Sequence, residues 1–252
     1  MIPIQRIPAP DELTQELEHC KTKVTTWVAE GKTVRDVWSN GAKVAKCRIR
    51  QLLEEMAPGR KRCMYCEDNL GTDIDHFQPI ALAPSRAFDW LNHLLACSYC
   101  NSNLKRDAYP CDEDTGEPLL IDPTAEDPAD HLTLRLGSCQ YEAGTRKGTE
   151  TVRVFGLNDR QELVRGRTTT YTTCRGLLAQ WHTYVQEGEE AEAADLAQAL
   201  REQPFAEVLR AMEYTLCDKP HVARRLFKPP VHAALIEWVR APDRMPEPAP
   251  QA

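Results

Sequence analysis

The chain has 252 residues, 42% hydrophobic and 27% charged, an ordinary globular composition with enough length for a core of its own. No apolar run approaches the ~18–20 residues that span a bilayer. The opening MIPIQRIPAP lacks the basic and apolar regions of a secretory leader, so the sequence predicts a cytoplasmic protein without membrane association. The formal net charge of -7 counts against strong autonomous DNA binding, because affinity for the phosphate backbone comes largely from Lys and Arg displacing counterions. It leaves room for a local basic patch.

Residues 1–10, with Pro3, Pro8 and Pro10, read as an extended arm. From Asp11 to Gly31 apolar residues recur at helical spacing (Leu13, Leu17, Cys20, Val24, Trp27, Val28), and Gly31 is a fitting stop. Thr33 suits the cap of a second helix running through Val34, Val37, Trp38, Val44, Ile49, Leu52, Leu53 and Met56. Gly41 weakens its middle, and Pro58-Gly59 ends it. Residues 60–107 lose the period and become dense in Cys, Asp, Asn and His. Residues 108–148 are rich in Pro, Gly and Asp, with short apolar pieces at 119–121 and 131–136. Residues 149–155 alternate, Val152 and Val154 against Thr151 and Arg153, which predicts a strand. Helical patterns return at 159–186, 189–202, 204–217 and 220–240. The tail from Pro242 is Pro-rich and expected to be mobile. The sequence divides into an N-terminal helical segment (1–59), a module at 60–110, a loop- and strand-rich extension (111–158), a C-terminal helical region (159–241) and a tail (242–252).

Ten cysteines are many for a chain in a reducing compartment, where metal binding rather than disulfide formation is the first question. Two C-x-x-C pairs occur, Cys63 with Cys66 and Cys97 with Cys100. Two intervening residues let a tight turn or a first helical turn aim both sulfurs at one tetrahedral ion. Four thiolates form the closed set of structural rather than catalytic zinc. Accidental pairs or a redox dithiol are the bland alternatives. Of Cys20, Cys47, Cys111, Cys139, Cys174 and Cys217, most are expected to be small buried hydrophobes. Glu67, after the first knuckle, is expected at the surface.

Between the pairs lie Asp73-Ile74-Asp75-His76-Phe77-Gln78-Pro79 and Asn92-His93, and after Cys100 come Asn101, Lys105 and Arg106. A lone Asp-His pair is more often a solvated turn or a satisfied core histidine. In a regular strand Asp75 and His76 point to opposite faces, so one site can use both only where the strand ends, and Pro79 supports an exit there. A zinc that fixes Cys100 also fixes Asn101, and Lys105 can share the helix face of Asn101. His93 is expected to be structural.

The series Cys63-x-x-Cys66, Asp75-His76, Asn92, Cys97-x-x-Cys100-Asn101, Lys105 resembles the HNH, or ββα-metal, endonuclease family, with Asn101 as the last letter instead of His. Leu120-Ile121-Asp122-Pro123, Glu126-Asp127-Pro128 and Gly156-Leu157-Asn158-Asp159-Arg160 through Arg167 more loosely resemble HNH nucleases of bacterial anti-phage systems, of the Septu type and some retron systems, which work beside an ATPase.

The resemblance implies an α+β fold, a small zinc-stapled ββα module embedded in a mainly helical protein. It also implies metal-dependent DNA hydrolysis leaving 5′-phosphate and 3′-hydroxyl ends. His76 would be the general base. Asp75 and Asn101 would ligate one Mg2+ or Mn2+, and Asn92 would orient the His76 loop, unless it only satisfies local backbone. Lys105, Arg106, Lys61 and Arg62 are candidates for gripping phosphates, with a solvated helix end as the alternative for Lys105 and Arg106. The rival readings are a non-catalytic treble-clef-like zinc module that binds nucleic acid or protein, and an HNH nuclease acting on RNA. The acidic balance and the long helical flanks also predict a protein partner such as an ATPase. The alternative is that the flanks simply complete one core.

Overall fold

The computed structural model describes residues 1–240, so the tail from Pro242 lies outside the described residues. Helix α1 (Asp11–Ala29) starts after Pro10, with Asp11 and Glu12 in its first turn, where acidic side chains complement the helix dipole. It buries Leu13, Leu17 and Cys20. Thr33 caps the next helix, accepting from the Asp36 amide while the Asp36 carboxylate accepts from the Thr33 amide. The continuous helix expected from there to Met56 does not form. A three-residue α2 (Val34–Asp36) passes into a π-helical turn (Val37–Gly41), and α3 (Lys43–Met56) restarts after Ala42. A Cβ on Gly41 would lie 3.3 Å from both Trp27 and Val37, so a glycine lets α1 pack closely at this break.

A short turn, α4 (Pro58–Lys61), leads into an antiparallel ribbon of β1 (Asp73–His76) and β2 (His93–Ala96). Asp73 stands opposite Ala96 and His76 opposite His93. A second π-helical segment (Tyr99–Lys105) follows the ribbon. Strands β3 (Leu132–Arg135) and β4 (Gln140–Ala143) make a separate hairpin.

The strand predicted at 149–155 is instead part of helix α5 (Arg146–Phe155). Its ends override the alternation. The Thr145 hydroxyl caps the Gly148 amide, and Gly156 closes the helix in the left-handed region at φ 57°. The buried Thr151, Val154 and Phe155 are spaced three and four apart, as a helix face requires.

Four helices then run close to the predicted positions: α6 (Gln161–Glu187), α7 (Glu190–Arg201), α8 (Glu207–Asp218) and α9 (Pro220–Leu226). The last predicted segment, 220–240, is split, because Pro229-Pro230 forces the chain out of the helix before α10 (Pro229–Arg240) begins. No helix among the described residues is long and apolar enough to cross a membrane.

One hydrophobic cluster joins Leu17 and Ile49 of the N-terminal helices to Tyr65 and Leu94 of the ribbon region, and these to Phe155, Trp181 and Trp238. The fold is α+β and mainly helical, as expected. The flanking helices share this core.

Candidate functional site

Cys63, Cys66, Cys97 and Cys100 are all buried, and their sulfurs lie within 4.8 Å of one another. The first pair sits in a turn closed by the Glu67 amide on the Cys63 carbonyl (2.9 Å), with Glu67 left-handed at φ 58°. The second opens the π-helical segment, where the Asn101 amide bonds the Cys97 carbonyl at 2.9 Å. Tetrahedral zinc with Zn–S bonds of ~2.3 Å needs sulfurs about 3.8 Å apart, and Cys66 and Cys97 are 3.9 Å apart. This closed, buried cluster of four soft donors fits structural zinc. The four thiols share their protons: bonds from Cys100 and Cys63 bring Cys66 down to about 7, and bonds from Cys100, Cys63 and Cys66 lower Cys97. Burial instead pushes Cys63 up, and against an opposing bond from Cys63, bonds to Cys66 and Cys97 raise Cys100. The Arg160 Nη1 lies 3.6 Å from the Cys100 sulfur, and its guanidinium stacks over Tyr99 at 4.4 Å.

The second π-helical segment begins at the second cysteine pair and lies beside β1. Asp73 and Asp75, two apart on one strand face, are ~6.6 Å apart, close to one turn of the facing helix. Accordingly Asn101 Nδ2 donates to Asp73 Oδ2 (3.1 Å) and Lys105 Nζ donates to Asp75 Oδ1 (3.0 Å). Tyr65, from within the first knuckle, donates to Asp75 Oδ2 at 2.5 Å. Burial pushes the Asp75 carboxyl up, against the pull of the Lys105 ammonium.

Lys105 was a candidate phosphate ligand, and the structure corrects this. Its side chain is wholly buried and spends its donors on Asp75 and on the His76 carbonyl (2.7 Å). Asp75 therefore is not a free solvent-facing carboxylate. Each of its oxygens accepts one hydrogen bond and keeps lone-pair capacity, and Asn101 engages only its amide nitrogen, leaving Oδ1. These hard oxygens fit a divalent cation.

His76 ends β1, and its Nε2 lies 3.0 Å from the Ala87 carbonyl. A carbonyl only accepts, so Nε2 carries the proton and Nδ1 carries the free lone pair. Burial lowers the ring's pKa to about 4, partly opposed by the Ala87 bond, so the imidazole is neutral at neutral pH. The Trp38 ring meets His76 edge-on at 4.4 Å and stacks on His93 at 5.4 Å. Asn92 lies in a 3-10 turn (Trp90–Asn92) just before β2. Its side chain accepts from the Gln78 amide and donates to the Gln78 and Arg86 carbonyls, which ties down the loop after His76.

A cavity of about 130 Å³ is lined by Asp75, His76 and Asn101 together with Arg106, Arg35, Trp38 and Asp107. Three of the four predicted catalytic residues thus meet there, with Asn92 behind them. Lys61 and Arg62 do not line it. Lys61 pairs with Glu54 at 2.8 Å and Arg62 bonds the Asp68 carbonyl. Sequence reading missed Asp73, Tyr65, the Ala87 carbonyl, Trp38 and Arg35. A same-face spacing of two from Asp75 was a signal for Asp73, whereas Trp38 and Arg35 approach from a distant segment and left none. Two surroundings are also corrected. Glu67 is buried, accepting from the Ile2 and Glu207 amides at 2.9 and 3.2 Å. Of the remaining cysteines, Cys20, Cys139 and Cys174 are buried but Cys47, Cys111 and Cys217 are exposed.

The chain is 26% identical to the Septu protein PtuB of Bacillus mycoides (strain KBAB4), over 66% of this chain and 66% of that protein. The match thus falls just short of two thirds of the relative's own length. No family model and no solved structure matches the chain.

Proposed function

We propose that the chain is a metal-dependent endonuclease of the HNH type that hydrolyses DNA phosphodiesters, with a protein partner, in anti-phage defence. One observation carries the reading: a neutral histidine, its proton parked on the Ala87 carbonyl, lines a cavity beside Asp75 and Asn101. The free Nδ1 lone pair can take a proton from an attacking water, and the fixed tautomer keeps it available. Trp38 and Asn92 hold the ring and its loop in place. Asp75 and Asn101 would hold Mg2+ or Mn2+, which supplies positive charge against the phosphate and the departing 3′-oxygen. Likeness to a Septu protein supports the defence setting and a partner such as an ATPase, and the net charge of -7 favours outside help in capturing DNA.

A second reading, a zinc module without catalysis, draws on the engagement of both Asp75 oxygens by Lys105 and Tyr65. Plasmid DNA and a matched RNA, each incubated with Mg2+ or Mn2+ and with a chelator, separate the readings. The nuclease reading expects metal-dependent cleavage of DNA that His76→Ala abolishes. Cleavage of RNA alone moves the substrate, and cleavage of neither by wild type with or without the partner removes the reading.

A further inference from the structure

The cations first expected to hold phosphate are largely spent. Lys105 is buried on Asp75, Arg62 bonds the Asp68 carbonyl, and neither Lys61 nor Arg62 lines the cavity. Arg106, the fourth of those candidates, does line the His76 cavity, and Arg35 joins it there from an element far apart in sequence. Arg106 caps the second π-helical segment and Arg35 belongs to α2, outside the zinc module.

Neither arginine is locked in place. The charged partner of Arg35 is Asp107, at 3.3 Å, with both side chains well exposed (60% and 58%). Such exposed pairs are screened by water and easily exchanged. Arg106 adopts φ 49° and ψ -116°, a backbone conformation that L side chains rarely take, while its Nε reaches the Ser102 carbonyl at 3.2 Å. Strain of this kind at a cavity rim persists where the surrounding structure imposes it, and it clusters at ligand clamps. Opposite them, the carboxylate of Asp75 is already answered by Lys105, so the cavity presents two guanidinium groups against the single exposed carboxylate of Asp107. A planar guanidinium fork matches two oxygens of a phosphate.

We infer that Arg35 and Arg106 together grip a backbone phosphate of the nucleic-acid substrate over the His76 cavity, with Asp107 holding Arg35 until that phosphate displaces it. The inference rests on the nuclease reading. It makes the N-terminal helical segment part of the substrate site: the segment supplies Arg35 to the phosphate as well as Trp38 to the histidine.

The test is binding of a short fluorescein-labelled DNA duplex to the full chain carrying His76→Ala, by anisotropy, from about 50 to about 200 mM salt. Adding Arg35→Gln or Arg106→Gln is expected to weaken binding about tenfold and to reduce the slope of log affinity against log salt by about one. Asp107→Asn leaves both arginines in place should Arg35→Gln fold poorly, and it is expected to tighten binding by more than Asp114→Asn, which removes the same charge at an exposed site that does not line the cavity. Arg48→Gln, at an exposed arginine paired with Glu12 away from the cavity, is the control and should change nothing. Unchanged affinity and salt slope in Arg35→Gln, or no duplex binding by the His76→Ala parent at the lowest salt, would overturn the inference. Cleavage by the chain with native His76 is read separately. Arg35-dependent binding with no cleavage, whether or not the partner is added, removes the nuclease reading and leaves the two arginines as a phosphate clamp, whereas cleavage with Arg35-independent binding does the reverse.

Discussion

His76 and His93 stand opposite each other across the ribbon and donate to one acceptor, the carbonyl oxygen of Ala87, at 3.0 and 3.1 Å. A carbonyl oxygen has two lone pairs, so both bonds can form, and both rings are fixed with the proton on Nε2. Their consequences differ. His76 lines the cavity, whereas His93 is fully buried and its Nδ1 has no hydrogen-bond partner. His76→Ala is therefore expected to lower DNA cleavage by about 10²–10⁴ while keeping fold and zinc content. His93→Gln keeps a donor for Ala87 and should cost stability, with less than about tenfold loss of cleavage. Nicking rates, melting curves and elemental analysis of both variants check this. Equal inactivation by His93→Gln in a folded protein would mean that the His93 ring itself, and not His76 alone, is needed for the reaction.

Lys105 gives the sharpest contrast between a buried and a surface role. Removing it leaves the Asp75 carboxylate buried with one partner fewer, and breaking such a pair costs on the order of 3–5 kcal/mol. Lys105→Met should thus lower the Tm strongly, and adding Asp75→Asn should recover part of the loss. A phosphate ligand would behave otherwise, with an unchanged Tm and a shallower salt dependence of DNA binding.

The difference between Lys105 as read and Lys105 as found marks the limit of legibility in this chain. The cysteine pairs, Asp75-His76 at a strand end and Asn101 beside Cys100 were readable because spacing alone brings them together. The direction of a long side chain was not, since i and i+4 fix a face but not whether that face meets solvent or a buried carboxylate. Helix α5 was misread because Val152 and Val154 alternate as a strand would, while the face that is buried, Thr151, Val154 and Phe155, is spaced three and four apart, and the deciding features were the Thr145 cap and the left-handed Gly156. Trp38 lies in the π-helical break at Val37–Gly41 and Arg35 just before it in α2, far in sequence from the other cavity residues, so no local spacing marked them.

The cysteine cluster makes a separate prediction. Elemental analysis is expected to give about one zinc per chain, and serine at Cys63, Cys66, Cys97 or Cys100 should lower the Tm, since metal binding contributes folding free energy directly. Arg160, 3.6 Å from the Cys100 sulfur, offsets thiolate charge. Arg160→Ala should therefore speed zinc transfer to a chromogenic chelator by about 10-fold, with Arg160→Lys in between. A fully folded protein without zinc would contradict the first expectation, and an unchanged transfer rate the second.

Glu207, on α8, packs against the first knuckle beneath Glu67 and tests how burial shapes stability with pH. Its carboxyl is buried, Oε2 has no hydrogen-bond partner, and burial raises its pKa to about 7. The Met1 amine at 3.9 Å and Arg210 at 4.0 Å offset part of that rise, and the Glu67 carboxylate adds to it. The reference value is 4.5, so between roughly pH 4.5 and 7 the folded chain binds more protons at this site than the unfolded chain. Stability from this group is then fully present at low pH and lost as pH rises through about 7. Glu207→Gln removes the cost of burying the charge. At pH ~8 the variant should be more stable than the parent by on the order of 1–3 kcal/mol, and at pH ~5 the gap should shrink severalfold. Urea melts of both proteins at the two pH values measure this directly. A gap of the same size at both would mean that Glu207 stays ionised in the folded chain and that the Met1 amine and Arg210 answer its charge in full.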